Sequence, residues 1–135
     1  MTDASPHLKP CDDDPHVVII MTSGPATPQR CATPFYLGAV LAAMDAQVDI
    51  FFTMEGVLLM QKGVAETLVA QPGGKRIIEF IRDAKRAGVK LHVCAPALPG
   101  YTLDPTKDLI DEVDHVSRAS QLADLILTCD KIINF

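Results

Sequence analysis

Val17-Val18-Ile19-Ile20-Met21, closed by Ser23-Gly24-Pro25, is the stretch that decides the fold. Five consecutive apolar residues, four of them β-branched, suit a strand buried on both faces, as in a parallel sheet. Working outward, a Pro-rich loop runs to Cys31 and the pattern then becomes helical over residues 33–46. Leu37, Val40, Leu41 and Met44 recur there at spacings of three and four. Pro34 fits the first turn, where a missing N–H costs nothing. Residues 48–53 form a second apolar strand, and Met54-Glu55-Gly56 turns the chain. Residues 57–69 read as a helical segment broken near Gly63, and Gln71-Pro72-Gly73-Gly74 as a loop. Residues 75–87 give a further helix, with Ile77, Ile78 and Ile81 inward, Arg82, Lys85 and Arg86 outward, and Gly88 as its stop.

Residues 89–94 form the third strand, followed by a Pro- and Gly-rich loop over 95–101 with room for a helical turn. Asp104 is placed to cap a short helix beginning at Pro105. A further helix is expected over 117–123, a fourth strand over 125–128 and a short fifth over 131–135. Strands alternating with helices imply right-handed crossovers. The expected fold is therefore α/β: three layers, α/β/α, around a mostly parallel sheet of about five strands. Residues 1–15 are polar and Pro-containing, with Asp12, Asp13 and Asp14 in a row, and read as a flexible arm. Residues 16–135 read as a single domain, long enough for a core without disulfide staples.

Composition narrows the function. Apolar residues make up 48% of the chain and charged residues 21%, ordinary for a globular protein. The formal net charge is −5 with no dense Lys/Arg stripe, which argues against nucleic acid or an anionic membrane as partner. No apolar stretch approaches the roughly 20 residues needed to span a bilayer. The N-terminal residues show no secretory signal, so a cytoplasmic location with reduced thiols is expected.

Four cysteines stand at 11, 31, 94 and 129, none in a CxxC pair. Cys11, the aspartates and His16 are metal-ligating types without a defined spacing, so no metal site and no cofactor is expected. Function in an open α/β sheet gathers at the carboxyl ends of the strands. On this reading Cys31 follows strand one, Cys94 ends strand three and Cys129 follows strand four. Cys94 is the leading candidate: N–H groups of a turn starting at Ala95 would favour its thiolate. His92, two residues earlier, shares its strand face and is a candidate auxiliary group. The alternatives are a buried filler cysteine and a satisfied structural histidine. Cys31, preceding a helix, is a second auxiliary candidate, and Cys129 is read as core. Gln71-Pro72-Gly73-Gly74-Lys75-Arg76 lacks the spacing of a P-loop, the first loop lacks GxGxxG, and neither a Ser/His/Asp arrangement nor HExxH is present.

Four segments together resemble the DsrE/DsrF-like family: VVIIMTSGP, DIFFTMEGVLLM, AGVKLHVCAPAL and ADLILTCDKIINF. The resemblance covers roughly residues 16–135. It implies a three-layer α/β/α domain that forms homo-oligomers, trimers or hexamers being favoured. It also implies sulfur relay, with sulfane sulfur or thiosulfonate held on Cys94 and exchanged with TusA-like or rhodanese-like carriers. Other members of the family lack a working cysteine and have no assigned role. Cys31 and Cys129 are not carried over.

The leading expectation is thus a sulfurtransferase-type carrier using Cys94, with backbone N–H groups of Ala95 and Ala97 stabilising an anionic adduct. The alternatives are a non-catalytic oligomeric binding or assembly module, and a redox switch pairing Cys94 with Cys31. Four consecutive apolar residues cover every side of a helical turn, so Leu58, Leu59 and Met60 are expected in a subunit interface.

Overall fold

A computed structural model describes residues 14–135 of the chain. Its regular elements are β1 (His16–Met21), α1 (Thr33–Ala43), β2 (Gln47–Phe52), α2 (Ile77–Arg86), β3 (Lys90–Cys94), β4 (His115–Ser117), α3 (Ala119–Thr128) and β5 (Lys131–Asn134). The strands form one sheet in the order β4-β3-β2-β1-β5, and every pairing is parallel. The chain steps from β1 outward to β4, then crosses back to the far edge for β5. Right-handed crossovers put the outward and return connections on opposite faces. This is the expected three-layer α/β/α arrangement.

The two faces differ in content because side chains alternate along each strand. One face presents Ile19, Met21, Ile50, Phe52, Leu91 and Val93, all fully buried. They join the core formed with α1 and α2. Ile77, Ile78 and Ile81 of α2 are sealed there, each contributing about 1.5–3 kcal/mol of burial. The outward residues of α2 are charged, as its spacing predicts: Lys85 pairs with Asp114, and Arg82 with Glu112. Gly88 ends this segment at φ +99°, a conformation that disfavours any side chain.

The loops after β1 and β2 interlock at the carboxyl edge. A Cβ at Gly24 would overlap the carbonyl oxygen of Glu55, and one at Gly56 that of Met21. The Ser23-Gly24 and Glu55-Gly56 turns therefore need glycine to let backbone meet backbone.

Three expectations change. The fourth strand is not residues 125–128, which are the last turn of α3, but His115–Ser117. Residues 57–69 do not form an α-helix: a 3-10 helix covers Met54–Met60 and turns follow. Residues 105–107 form turns rather than a capped helix, with the Asp104 carboxylate accepting from the N–H and hydroxyl of Thr106. The second change also removes the expected interface. Val57, Leu59 and Met60 are fully buried and Leu58 is half-buried. The segment 108–110 covers them: Ile110 donates to the Met60 carbonyl at 2.8 Å and Lys62 to that of Asp108 at 2.8 Å. The exposed side of this 3-10 helix falls at Met54 and Glu55, whereas Leu59 and Met60 lie under the 108–110 segment and belong to the core.

Candidate functional site

The second face of the sheet buries Val18 and Phe51 but also carries a polar cluster, where a buried sheet is normally apolar. Strand alternation and register bring together His16 from β1, Asp49 and Phe51 from β2, His92 and Cys94 from β3, and His115 and Ser117 from β4. Asp49 is the centre of the group. One carboxylate oxygen lies 2.6 Å from His16 Nε2 and the other 2.6 Å from His92 Nε2. Burial pushes the Asp49 carboxyl up, but hydrogen bonds from His92 and His16, with their charge, outweigh it and hold the group below the ordinary carboxylate value. An ionised carboxylate only accepts, so both imidazoles present Nε2–H to it.

That arrangement leaves His92 Nδ1 facing Ser117, whose hydroxyl is 3.4 Å away. The His92 ring is held flat between Phe51, with centroids 5.8 Å apart and planes 7° apart, and His115 at 5.0 Å. Ser117 is almost completely buried. A cleft of about 340 Å³ opens beside this group, lined by His92, His115 and Ser117 from the sheet and by Ser120, Gln121 and Asp124 from α3. α3 is fixed at its start by the Gln121 side chain, which accepts from the Arg118 N–H at 2.6 Å.

Cys94 is the last residue of β3 and is half-buried. It is the register partner of Ser117 and lies two residues beyond His92 on the same face. A 3-10 turn, Ala95–Ala97, begins immediately after it. The helical turn expected from the sequence is therefore present.

The other cysteines lie elsewhere. Cys31 is fully buried in the core shared with α1 and α2, behind the opposite face of the sheet. Its thiol donates toward the carbonyls of Gly24 at 3.3 Å and Thr27 at 3.4 Å. Burial pushes its pKa up to about 11, against the opposing charge of Arg30. These features belong to a structural cysteine and give no support to an auxiliary role. Cys129 caps the end of α3 and precedes β5, so it lies at the amino edge of the sheet rather than the carboxyl edge expected. Cys11, Asp12 and Asp13, with the rest of the expected arm up to residue 13, lie outside the described residues. Among the described residues no group of three His, Cys, Asp or Glu side chains is arranged to hold a metal.

The sequence singles out Cys94 and His92 on this face and names His16 only as a metal-ligating type; it does not single out Asp49, His115 or Ser117. A signal for Asp49 was present: a carboxylate between Val48 and Ile50, inside an otherwise apolar strand, has to find buried partners.

Among the described residues, no helix is long and apolar enough to cross a membrane. Comparison with known proteins defines the relationship. The DsrE/DsrF-like family model matches residues 16–135. No curated protein matches the chain in sequence. Among solved structures, the chain is similar to the ychN protein of E. coli, with a TM-score of 0.71 and 20% identity over 90% of this chain and 99% of that one. It is also similar to MTH1491 of Methanobacterium thermoautotrophicum, a protein of unknown function, with a TM-score of 0.59 and 16% identity over 91% and 100% of the two chains. At these identities the solved structures speak for the fold, and the family match over residues 16–135 speaks for descent: the chain belongs to the DsrE/DsrF-like family.

Proposed function

We propose that the chain is a sulfur carrier that works through Cys94. The observation that carries the reading is the contrast among its cysteines. Cys94 stands half-buried at the carboxyl end of a central-sheet strand, on the polar face and before a helical turn. Cys31 is sealed in the core with a raised pKa. Family membership supports sulfur relay as the general activity.

In the proposed cycle the Cys94 thiolate attacks an activated sulfur of a persulfide or thiosulfonate donor. A Cys94 S–S bond forms as the donor's bond to that sulfur breaks, giving Cys94–S–SH or Cys94–S–S–SO3⁻, and the donor leaves as its thiolate. Backbone N–H groups of Ala95 and Ala97 steady the anionic adduct. An acceptor thiolate then takes the outer group and restores Cys94. TusA-like or rhodanese-like carriers are the proposed donors and acceptors, in a reducing cytoplasm, and the steps themselves require no metal or organic cofactor.

Self-association is part of the proposal, with a trimer or hexamer favoured. Its support moves from the buried 58–60 segment to α1 and its C-cap, where Tyr36, Val40 and Met44 are exposed at spacings of four.

Intact-mass measurement after treatment with polysulfide or tetrathionate tests the carrier reading. A reducible adduct that disappears in Cys94→Ser is expected. An unmodified Cys94 would leave a binding module, and a loss of two protons without an adduct would indicate a disulfide switch.

A further inference from the structure

Nothing in the carrier cycle above uses the Asp49–His92 pair or the cleft beside it. We infer that this cleft receives the acceptor's thiol, and that His92 Nδ1 takes that thiol's proton while Asp49 holds the imidazole in place. The inference rests on the carrier reading and specifies its discharge step.

Four observations lead to it. Asp49 fixes the His92 tautomer, so Nδ1 is the free basic nitrogen, directed toward the cleft side of the sheet. The stacked ring of Phe51 and the tilted ring of His115, one on each side, keep the imidazole plane from turning. At 3.4 Å the Ser117 hydroxyl is at the long end of hydrogen bonding to Nδ1, so an arriving thiol can displace it. Finally, both His92 and Ser117 line the cleft, and Ser117 is the register partner of Cys94. A persulfide carries the reactive sulfur one bond, about 2 Å, beyond Cys94 Sγ.

The step balances without an outside oxidant or reductant. The acceptor R–SH gives its proton to His92 Nδ1. The R–S⁻ lone pair attacks the outer sulfur of Cys94–S–SH, forming R–S–SH as the Cys94 S–S bond breaks. Cys94 leaves as thiolate, ready for the next donor, and His92 releases the proton to solvent through the cleft. Asp49 is a positioning residue here, since it acts only through His92. The ionisable groups that share this face or line the cleft are His16 on β1, Asp49 on β2, Lys90, His92 and Cys94 on β3, His115 on β4 and Asp124 on α3.

The test is single-turnover discharge of polysulfide-loaded protein by 2-mercaptoethanol, followed by intact mass across about pH 5 to 9. Wild type, His92→Gln, His92→Ala and Asp49→Asn are compared, each first checked for folding and for loading at Cys94. Positioned bases typically contribute factors of 10² to 10⁴. We expect His92→Gln to load normally, to discharge at least tenfold more slowly at neutral pH, and to keep only the pH dependence of the thiol itself. Added imidazole should restore discharge in His92→Ala, which separates a lost base from a damaged fold. Asp49→Asn should slow discharge less and shift its pH profile. A loaded His92→Gln that matches the wild-type rate and profile would overturn this inference and leave the carrier reading standing. Wild-type protein that takes no sulfur at all would overturn both.

Discussion

The two faces of the sheet are made by the same strands yet obey different rules. Ile19, Ile50, Phe52, Leu91 and Val93 point one way and are sealed under α1 and α2. His16, Asp49, His92, Cys94 and Ser117 point the other way, toward α3, which buries none of its own residues. One face is filled for packing. The other carries a hydrogen-bonded array, stacked rings and a cleft. Polar residues on a sheet face are expensive unless partnered; Asp49 is partnered through both carboxylate oxygens, and an array built around it points to a use beyond stability.

Mutations that sort by face would sharpen or break this contrast. The largest effect is expected on the packed face. Phe52→Ala removes a fully buried ring stacked on Phe35, with centroids 5.7 Å apart. It should cost about 3–5 kcal/mol in denaturant unfolding. A cost under about 1 kcal/mol would mean that the core is not organised around this ring.

Asp49→Asn comes next and acts through pH. The folded Asp49 value lies below the unfolded one. Its stabilisation is therefore complete above the unfolded carboxyl value of about 3.9 and is lost as pH falls through the folded value. Wild type should exceed Asp49→Asn by about 1.5–3 kcal/mol at neutral pH. The gap should close in strong acid, as urea titrations at several pH values would show. A gap that does not depend on pH would remove the charge from the account.

The smallest effect belongs to the outer surface of α3. Leu127 is 84% exposed, and Leu127→Ala should change monomer stability by less than about 0.5 kcal/mol. A loss of several kcal/mol in thermal unfolding would show that α3 is covered, by another copy of the chain for instance.

The packed face was the more legible one in the sequence. The apolar runs of β1, β2 and β3 and the spacing of Ile77, Ile78 and Ile81 announce it directly. β4 escaped notice because it is three residues long, His115-Val116-Ser117, and too polar to make an apolar run. Leu125-Ile126-Leu127-Thr128 was misread as a strand because a short apolar run has the same look in a helix and a strand. The interface argument at Leu58, Leu59 and Met60 assumed an α-helix against one sheet, whereas the segment is a 3-10 helix closed over by residues 108–110. On the polar face, Cys94 and His92 were legible from their place at a strand end. Of the residues beside them, Asp49 leaves a signal as a carboxylate within an apolar strand, but its pairing with His92, like the placement of His115 and Ser117, depends on strand order.

The account stands on Cys94 being the reactive thiol and Cys31 an inert one. Limiting iodoacetamide on the native protein, quenched and peptide-mapped, compares them directly. The half-buried Cys94 should label at least tenfold faster than Cys31, whose thiol is sealed and raised to about 11. Labelling of Cys31 at an equal or greater rate, in protein still folded, would contradict the assignment of chemistry to the Cys94 face.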